Sequence, residues 1–332
     1  MTGKLKARFT SVLAAGALAV CASAPALAAN WDMALAWPDG NFHTKNARTF
    51  AQEVAKATEG RVNITVHGGG SLGFKGPEML SAVRDGLVPI GDIYLSQQVG
   101  EEPVLGIESI PYLVSGYDEL RKLHEYFRPV VEKVAARHNQ KVLYMVPWPA
   151  PGIYTKVKAT TLKDLSGVKI RTYNKTTTEL FNTIGMTAVQ LPWGEVVPSL
   201  AAGTIDGVTT SASSGVDGKF WEFLKFFYPT GHVWSSDAIT VNLDSWNDLS
   251  EADRKTIEKL SRDLEPTFWE VSRSEDAEKL KILNSNGLQT GVVTNEMLSA
   301  MRKATADQIS NFLKATPEAK PTLDAFFKAT GR

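Results

Sequence analysis

Cysteine is almost missing from this chain: Cys21 is the only one in 332 residues. An internal disulfide framework is excluded, and so are the zinc and redox motifs that need paired cysteines. The five histidines, at positions 43, 67, 124, 138 and 232, show no His-x-x-x-His spacing, so a helix-borne zinc site has no footing. Neither sign of charge dominates, with 36 Lys and Arg against 36 Asp and Glu, and no basic stripe suggests nucleic acid. No apolar run is long enough for a spanning helix. The glycine run Gly68-Gly69-Gly70-Ser71-Leu72-Gly73-Phe74-Lys75 is not a phosphate loop, because Phe74 separates Gly73 from Lys75. A strand-to-helix turn near a domain edge accounts for it.

What is present begins with an address. Lys4, Lys6 and Arg8 precede an apolar run from Val12 to Ala22, and Ala26-Leu27-Ala28 has the small-x-small form of a cleavage site. Residues 1–28 are therefore expected to be a signal peptide for export to the periplasm, with Cys21 removed along with it. The remainder then carries 33 basic against 36 acidic side chains, about −3 in all. Its length suits two domains, each with a sizeable core.

Along that remainder, helical and alternating patterns interleave. Trp31 to Trp37 is expected as a strand, Lys45 to Thr58 as a helix capped by Asn41 or Thr44, and Arg61 to His67 as a second strand, a βαβ signature. Lys141 to Trp148 is expected as a strand that ends in Pro147-Trp148-Pro149-Ala150-Pro151, a stiff passage suited to a hinge. Phe220 to Phe227 is expected as an aromatic helix. Ser250 is a strong cap for a helical pattern that runs to about Asn284. At 1.5 Å per residue such a helix is about 50 Å long, more than one small domain.

The most informative stretch is Leu162 to Asn174. Asp164 to Gly167 reads as a turn and Val168 to Tyr173 as a short strand. Val168 and Ile170 share one face, Lys169 and Arg171 the other. Open α/β sheets bind ligands beyond the carboxyl ends of their strands. A guanidinium there suits a carboxylate, to which its planar fork donates two parallel hydrogen bonds. Residue type alone equally allows a surface arginine paired with a nearby acid.

The order KDLSGVKIRTYN, then TIGMTAVQLPWGEVVPSLAAGTIDGV, resembles the solute-binding proteins of tripartite ATP-independent periplasmic (TRAP) transporters, of the dicarboxylate-binding DctP type. Gly70-Ser71-Leu72-Gly73 and Glu108-Ser109-Ile110-Pro111-Tyr112 extend the resemblance over nearly the whole chain. It implies an α/β, two-domain periplasmic binding protein with a mixed sheet in each lobe, hinge crossovers and a long helix spanning both lobes. The expected domains are 29–149 with about 237–276, and 150–236 with about 277–332, with a ligand cleft between them.

The resemblance also implies that Arg171 clamps a solute carboxylate. It places Trp37, Trp193 and the neighbourhood of Trp148 at the cleft, and it matches Asn174 and Thr210 to positions that commonly touch the solute. Phe74 and Trp234 join the three tryptophans as large aromatics at strand ends or loops, where core packing is the other reading. Lys75 and Tyr94 complete the expected ligand-binding set. Some relatives hold a metal–carboxylate complex through a Trp-Glu pair after the "iD" segment; here Val208 to Ser214 contains no acid, so no metal and no cofactor are expected. With no second arginine at a matched position, the expected solute is an organic monocarboxylate such as an apolar or aromatic 2-oxo or 2-hydroxy acid. A dicarboxylate or sugar acid, or a ligand-presenting sensor role, is the alternative. The expected protein is no enzyme but a monomer whose partners are a small organic acid and the membrane permease subunits.

Overall fold

The computed structural model describes Thr2 and residues 28–332. The expected signal segment lies outside the described residues apart from Thr2 and Ala28. In chain order the strands among the described residues are β1 (Ala29–Ala34), β2 (Val62–His67), β3 (Ile90–Tyr94), β4 (Gln140–Pro147), β5 (Gly152–Thr155), β6 (Lys169–Thr172), β7 (Thr187–Gln190), β8 (Gly207–Thr210), β9 (Phe226–Tyr228), β10 (Ser236–Asn242) and β11 (Gln289–Thr290).

Two mixed sheets result. The first has the order β2-β1-β3-β10-β4, the second β11-β9-β5-β8-β6-β7. In the first, β1 runs parallel to β2 and β3, while β10 is antiparallel to β3 and β4. The expected βαβ unit is there: helix Phe42–Ala57 joins β1 to β2, and its cap is Asn41, whose side chain accepts the His43 N–H. In the second sheet β6 lies between β7 and β8, parallel to both.

Two passages between the sheets matter for the site. β4 ends at Pro147 in the first sheet and β5 begins at Gly152 in the second. Gly152 has no room for a side chain, because a Cβ there would strike the Tyr228 carbonyl and the Phe227 ring. Later β9 leaves the second sheet and β10 returns to the first. The helix expected from Ser250 runs Glu251–Ser285, with Ser250 Oγ accepting the Asp253 N–H. Phe268 and Trp269, at its middle, pack in the first-sheet core, and Leu283, near its end, packs in a second-sheet core. One continuous helix therefore touches both lobes.

The second sheet is covered on both faces. Ile153, Ile170 and Phe181 belong to one core, Tyr154, Val208 and Phe227 to the other, as the two-residue period of strands requires.

Two expectations fail. Phe220 to Phe227 is not a helix: Phe220–Glu222 is a single 3-10 turn, and Phe226–Tyr228 pairs with β5. Consecutive aromatics favour a strand that is buried on both faces, and this one is. The tail does not all stay with the second lobe. Met297 and Met301 do pack there, but Leu323 and Phe326 of helix Lys320–Thr330 lie in the first-sheet core. Their three-residue spacing puts both on one helix face, and that face closes over the first lobe.

Candidate functional site

The turn before the arginine strand is tightly built. Asp164 accepts the backbone N–H groups of Thr160 and Thr161, and Gly167 takes a positive φ of 74° that suits glycine. β6 then holds Ile170 fully in the core, leaves Lys169 exposed and sends Arg171 into the space between the lobes. Arg171 is 3% exposed. Its Nε donates to the Leu191 carbonyl at 3.0 Å, which fixes the plane of the guanidinium. The two Nη groups make no hydrogen bond, and no carboxylate pairs with the group, among the described residues. Burial pulls its pKa down to about 10. A buried cation without a counter-ion is costly to keep and calls for an anion.

Arg171 faces a cavity of about 30 Å³. From the first lobe come Trp37, Tyr94, Gln97, Trp148 and Ser235; from the second come Arg171, Tyr173, Trp193, Thr210, Ser211 and Ser214. Pro149 and Pro151 of the crossover close one side. Trp37 follows β1, Trp148 follows β4, and Tyr94, Arg171 and Thr210 sit at the ends of β3, β6 and β8. The carboxyl ends of five strands therefore converge here, as expected for a ligand site on open α/β sheets.

The walls differ in chemistry. Trp37 and Trp148 meet edge to face with ring centroids 4.7 Å apart, and Trp37 also meets Tyr94 at 5.8 Å. Opposite them stand the guanidinium and the hydroxyls of Thr210, Ser211 and Ser214. Ser211 caps helix Ala212–Asp217, its Oγ accepting the Ser214 N–H at 3.2 Å. Among the described residues the lining holds no carboxylate and no second cation.

Six residues expected at the site line this cavity: Arg171, Trp193, Thr210, Trp37, Trp148 and Tyr94. Four do not. Asn174 is the cap of helix Lys175–Thr183, its Oδ1 accepting the Thr177 N–H at 2.8 Å. Trp234 packs edge to face on Tyr117 in the first-lobe core. Phe74 is half-buried against the same core. Lys75 sits outside the cavity, 3.5 Å from Glu195 across the gap between the lobes. Nearby, Asn41 Nδ2 donates to Asp217 Oδ2 at 2.6 Å, a second bond from lobe to lobe.

Tyr173, Gln97, Ser235, Ser211 and Ser214 were not singled out from the sequence. Tyr173 carried a usable signal, since it stands two residues beyond Arg171 and shares its face. The hydroxyl run 209–214 carried another. Gln97 and Ser235 carried none.

A Ser–His–Glu cluster exists elsewhere, but it is a packing feature. Ser236 Oγ donates to Glu108 Oε1 at 3.1 Å, and His124 Nε2 meets the same carboxylate oxygen. Serine and acid thus crowd one ring nitrogen rather than relaying through two. All three are buried away from the cavity. His232 is likewise a packed residue: it is fully buried, bonds Thr209 and Thr230, and burial pulls its pKa down to about 3.

Comparison with known proteins places this geometry among relatives. Residues 33–315 match the family described as bacterial extracellular solute-binding protein, family 7. A Bordetella pertussis extracytoplasmic solute receptor described as binding pyroglutamic acid is 29% identical; the match covers 90% of this chain and 99% of that one, with a TM-score of 0.87. A marine metagenome TRAP solute-binding protein, described as specific for pyroglutamate, is 30% identical over 91% of this chain and 99% of its own, with a TM-score of 0.86. A solute-binding protein of Chromohalobacter salexigens is 27% identical, covering 91% of this chain and 90% of the relative.

Proposed function

From a chain that belongs to the bacterial extracellular solute-binding protein family 7, the periplasmic receptors of TRAP transporters, we propose that the cavity captures one small monocarboxylic acid, with pyroglutamate the first candidate. Receptors of this kind bind small organic acids and work with membrane permease components. The observation that carries the choice of solute is Arg171: a buried guanidinium with a free edge on the cavity and no acid among the described residues to neutralise it.

The solute's carboxylate would take that edge in two parallel hydrogen bonds. Its compact body would lie against Trp37 and Trp148, while Thr210, Ser211 and Ser214 meet a lactam, 2-oxo or 2-hydroxy group. On this reading residues 29–149, about 233–276 and the last helix form one jaw. Residues 150–232 and about 277–304 form the other. The protein works as a monomer and as a carrier, not an enzyme. Binding favours the state in which both walls touch the solute, and that state docks on the permease.

Isothermal calorimetry with pyroglutamate, phenylpyruvate, succinate and glucuronate tests this. The expected result is binding of pyroglutamate or another compact monoacid with a micromolar to nanomolar Kd, about 8–12 kcal/mol. Binding of succinate or glucuronate alone would overturn the choice of solute class.

A further inference from the structure

Behind the tryptophan wall lies a buried group that solute capture does not by itself explain. Asp92 stands on β3 and Asp237 on β10. In the antiparallel register Asp237 faces Tyr94 and Asp92 faces Ile239, so the two aspartates are diagonal neighbours on one face of the sheet. They are 3% and 2% exposed. With His43 Nε2 their oxygens lie within 4.8 Å of one another. Among the described residues, both oxygens of Asp92 and Oδ1 of Asp237 meet no donor. Asp237 Oδ2 accepts Trp37 Nε1–H at 2.7 Å. Trp148 Nε1 is buried beside the same carboxyl and meets no acceptor at bonding geometry.

We propose that Asp92 and Asp237 act as a unit that holds one proton between them, and that this unit positions Trp37 and Trp148, the indoles of the solute wall. Two ionised carboxylates this close in a buried site repel each other at great cost. One shared proton removes the repulsion and supplies the missing donor, and Asp237 is left with an acceptor for the indole N–H.

The neighbours fit a proton rather than a positive side chain. His43, on helix Phe42–Ala57, is held neutral by burial. Tyr94 on β3 and Tyr144 on β4 are phenols kept protonated by burial. Glu108 adds negative charge from outside the pair, and the nearest cation in the cavity, Arg171, faces Tyr94. Burial first, then the charge of Asp237, push Asp92 well above the ordinary carboxylate range. Burial pushes Asp237 up to about 7, while the Trp148 indole, the Asp92 carboxyl and the bonded Trp37 indole beside it pull it down. The folded pair therefore keeps protons that the unfolded chain loses near pH 4, so its contribution to stability declines as pH rises above about 4 and through about 7, where Asp237 ionises.

The role of the wall rests on the proposed solute site, but the proton does not, and the experiment separates the two. Carboxyl carbon-13 NMR of aspartate-labelled, solute-free wild type should show one buried carboxyl titrating near 7. The pH dependence of the melting temperature from pH 5 to 9 should become shallower in Asp92→Asn, which leaves one titrating carboxyl instead of two and whose amide supplies the donor. The indole bands in near-ultraviolet circular dichroism should persist in Asp92→Asn and weaken in Asp92→Ala. In calorimetry, Asp92→Asn should hold pyroglutamate within about threefold of wild type and Asp92→Ala should lose about tenfold, the effect of one buried donor. An unchanged pH profile in Asp92→Asn, or unchanged indole bands in Asp92→Ala, would overturn the proposal. So would stoichiometric binding of Ca²⁺, Mg²⁺ or Zn²⁺ that Asp92→Asn abolishes, since the occupant would then be a cation. If pyroglutamate binds none of the proteins, the solute choice fails while the solute-free measurements still decide the proton.

Discussion

The two walls of the cavity are built by opposite means. The first-lobe wall is continuous with its core: Trp37, Tyr94 and Trp148 belong to the same buried cluster as the strands beneath them. It is packed before any solute arrives. The second-lobe wall stands on satisfied turns and caps, yet it carries a buried charge that no acid among the described residues neutralises. One wall is complete and the other is not, so a solute should complete the second wall while merely covering the first.

The largest test of that contrast is Arg171→Ala. It should weaken solute binding by about 2–5 kcal/mol, since the acid would be buried without its partner. It should leave the melting temperature unchanged or higher, because a desolvated, unpaired cation has been removed. Calorimetry beside a thermal melt reads both. A lower melting temperature with unchanged affinity would show that the arginine serves the fold.

The aromatic wall should behave the other way. Trp37→Phe keeps a ring but removes the N–H that reaches Asp237, and it leaves a cavity where the larger indole stood. Both stability and affinity should fall, each by about 1–3 kcal/mol, since a buried carboxyl loses its donor. If only affinity fell, the wall would not be the preformed surface described here.

How much of this could be read in advance follows the same division. Arg171 was legible because alternation in a strand is strict: once Val168 and Ile170 face the core, Arg171 must face away. The sheets, the βαβ unit and the cap at Ser250 were legible for the same local reasons. Asn174 does not line the cavity, and a helix cap and a solute ligand both use a short polar side chain after a strand. Its oxygen accepts from Thr177. Trp234 does not line it either: cleft and core both suit an indole, and here it packs on the distant Tyr117. The aromatic run at 220–227 failed because its partner strand lies some seventy residues earlier. Asp92 and Asp237 are 145 positions apart, and no local pattern could join them.

Within the polar wall, Ser214→Ala should cost less than either change above, about 0.5–1.5 kcal/mol of affinity, the net worth of one neutral hydrogen bond. Its backbone N–H would still be held by Ser211, so stability should hold. Calorimetry against several acids would sharpen the reading. A loss confined to solutes with a 2-oxo, 2-hydroxy or lactam group would assign the hydroxyl to that group. An equal loss for every acid would assign it to the carboxylate.

The smallest expected effect is at the rim, and it is also the most discriminating. Lys75 and Glu195 are 60% and 49% exposed and 3.5 Å apart. A pair so open to water is worth about 0–1 kcal/mol, and less as salt rises. Lys75→Ala should therefore change solute affinity by under about threefold, with the remaining difference fading at high salt. The outcome matters because Lys75 is the basic side chain nearest to serving as a second clamp. A loss on the scale of Arg171→Ala would mean that a second carboxylate reaches it. The solute would then be a diacid spanning the gap, and the two walls would be two ends of one charged grip rather than a charged wall and an apolar one.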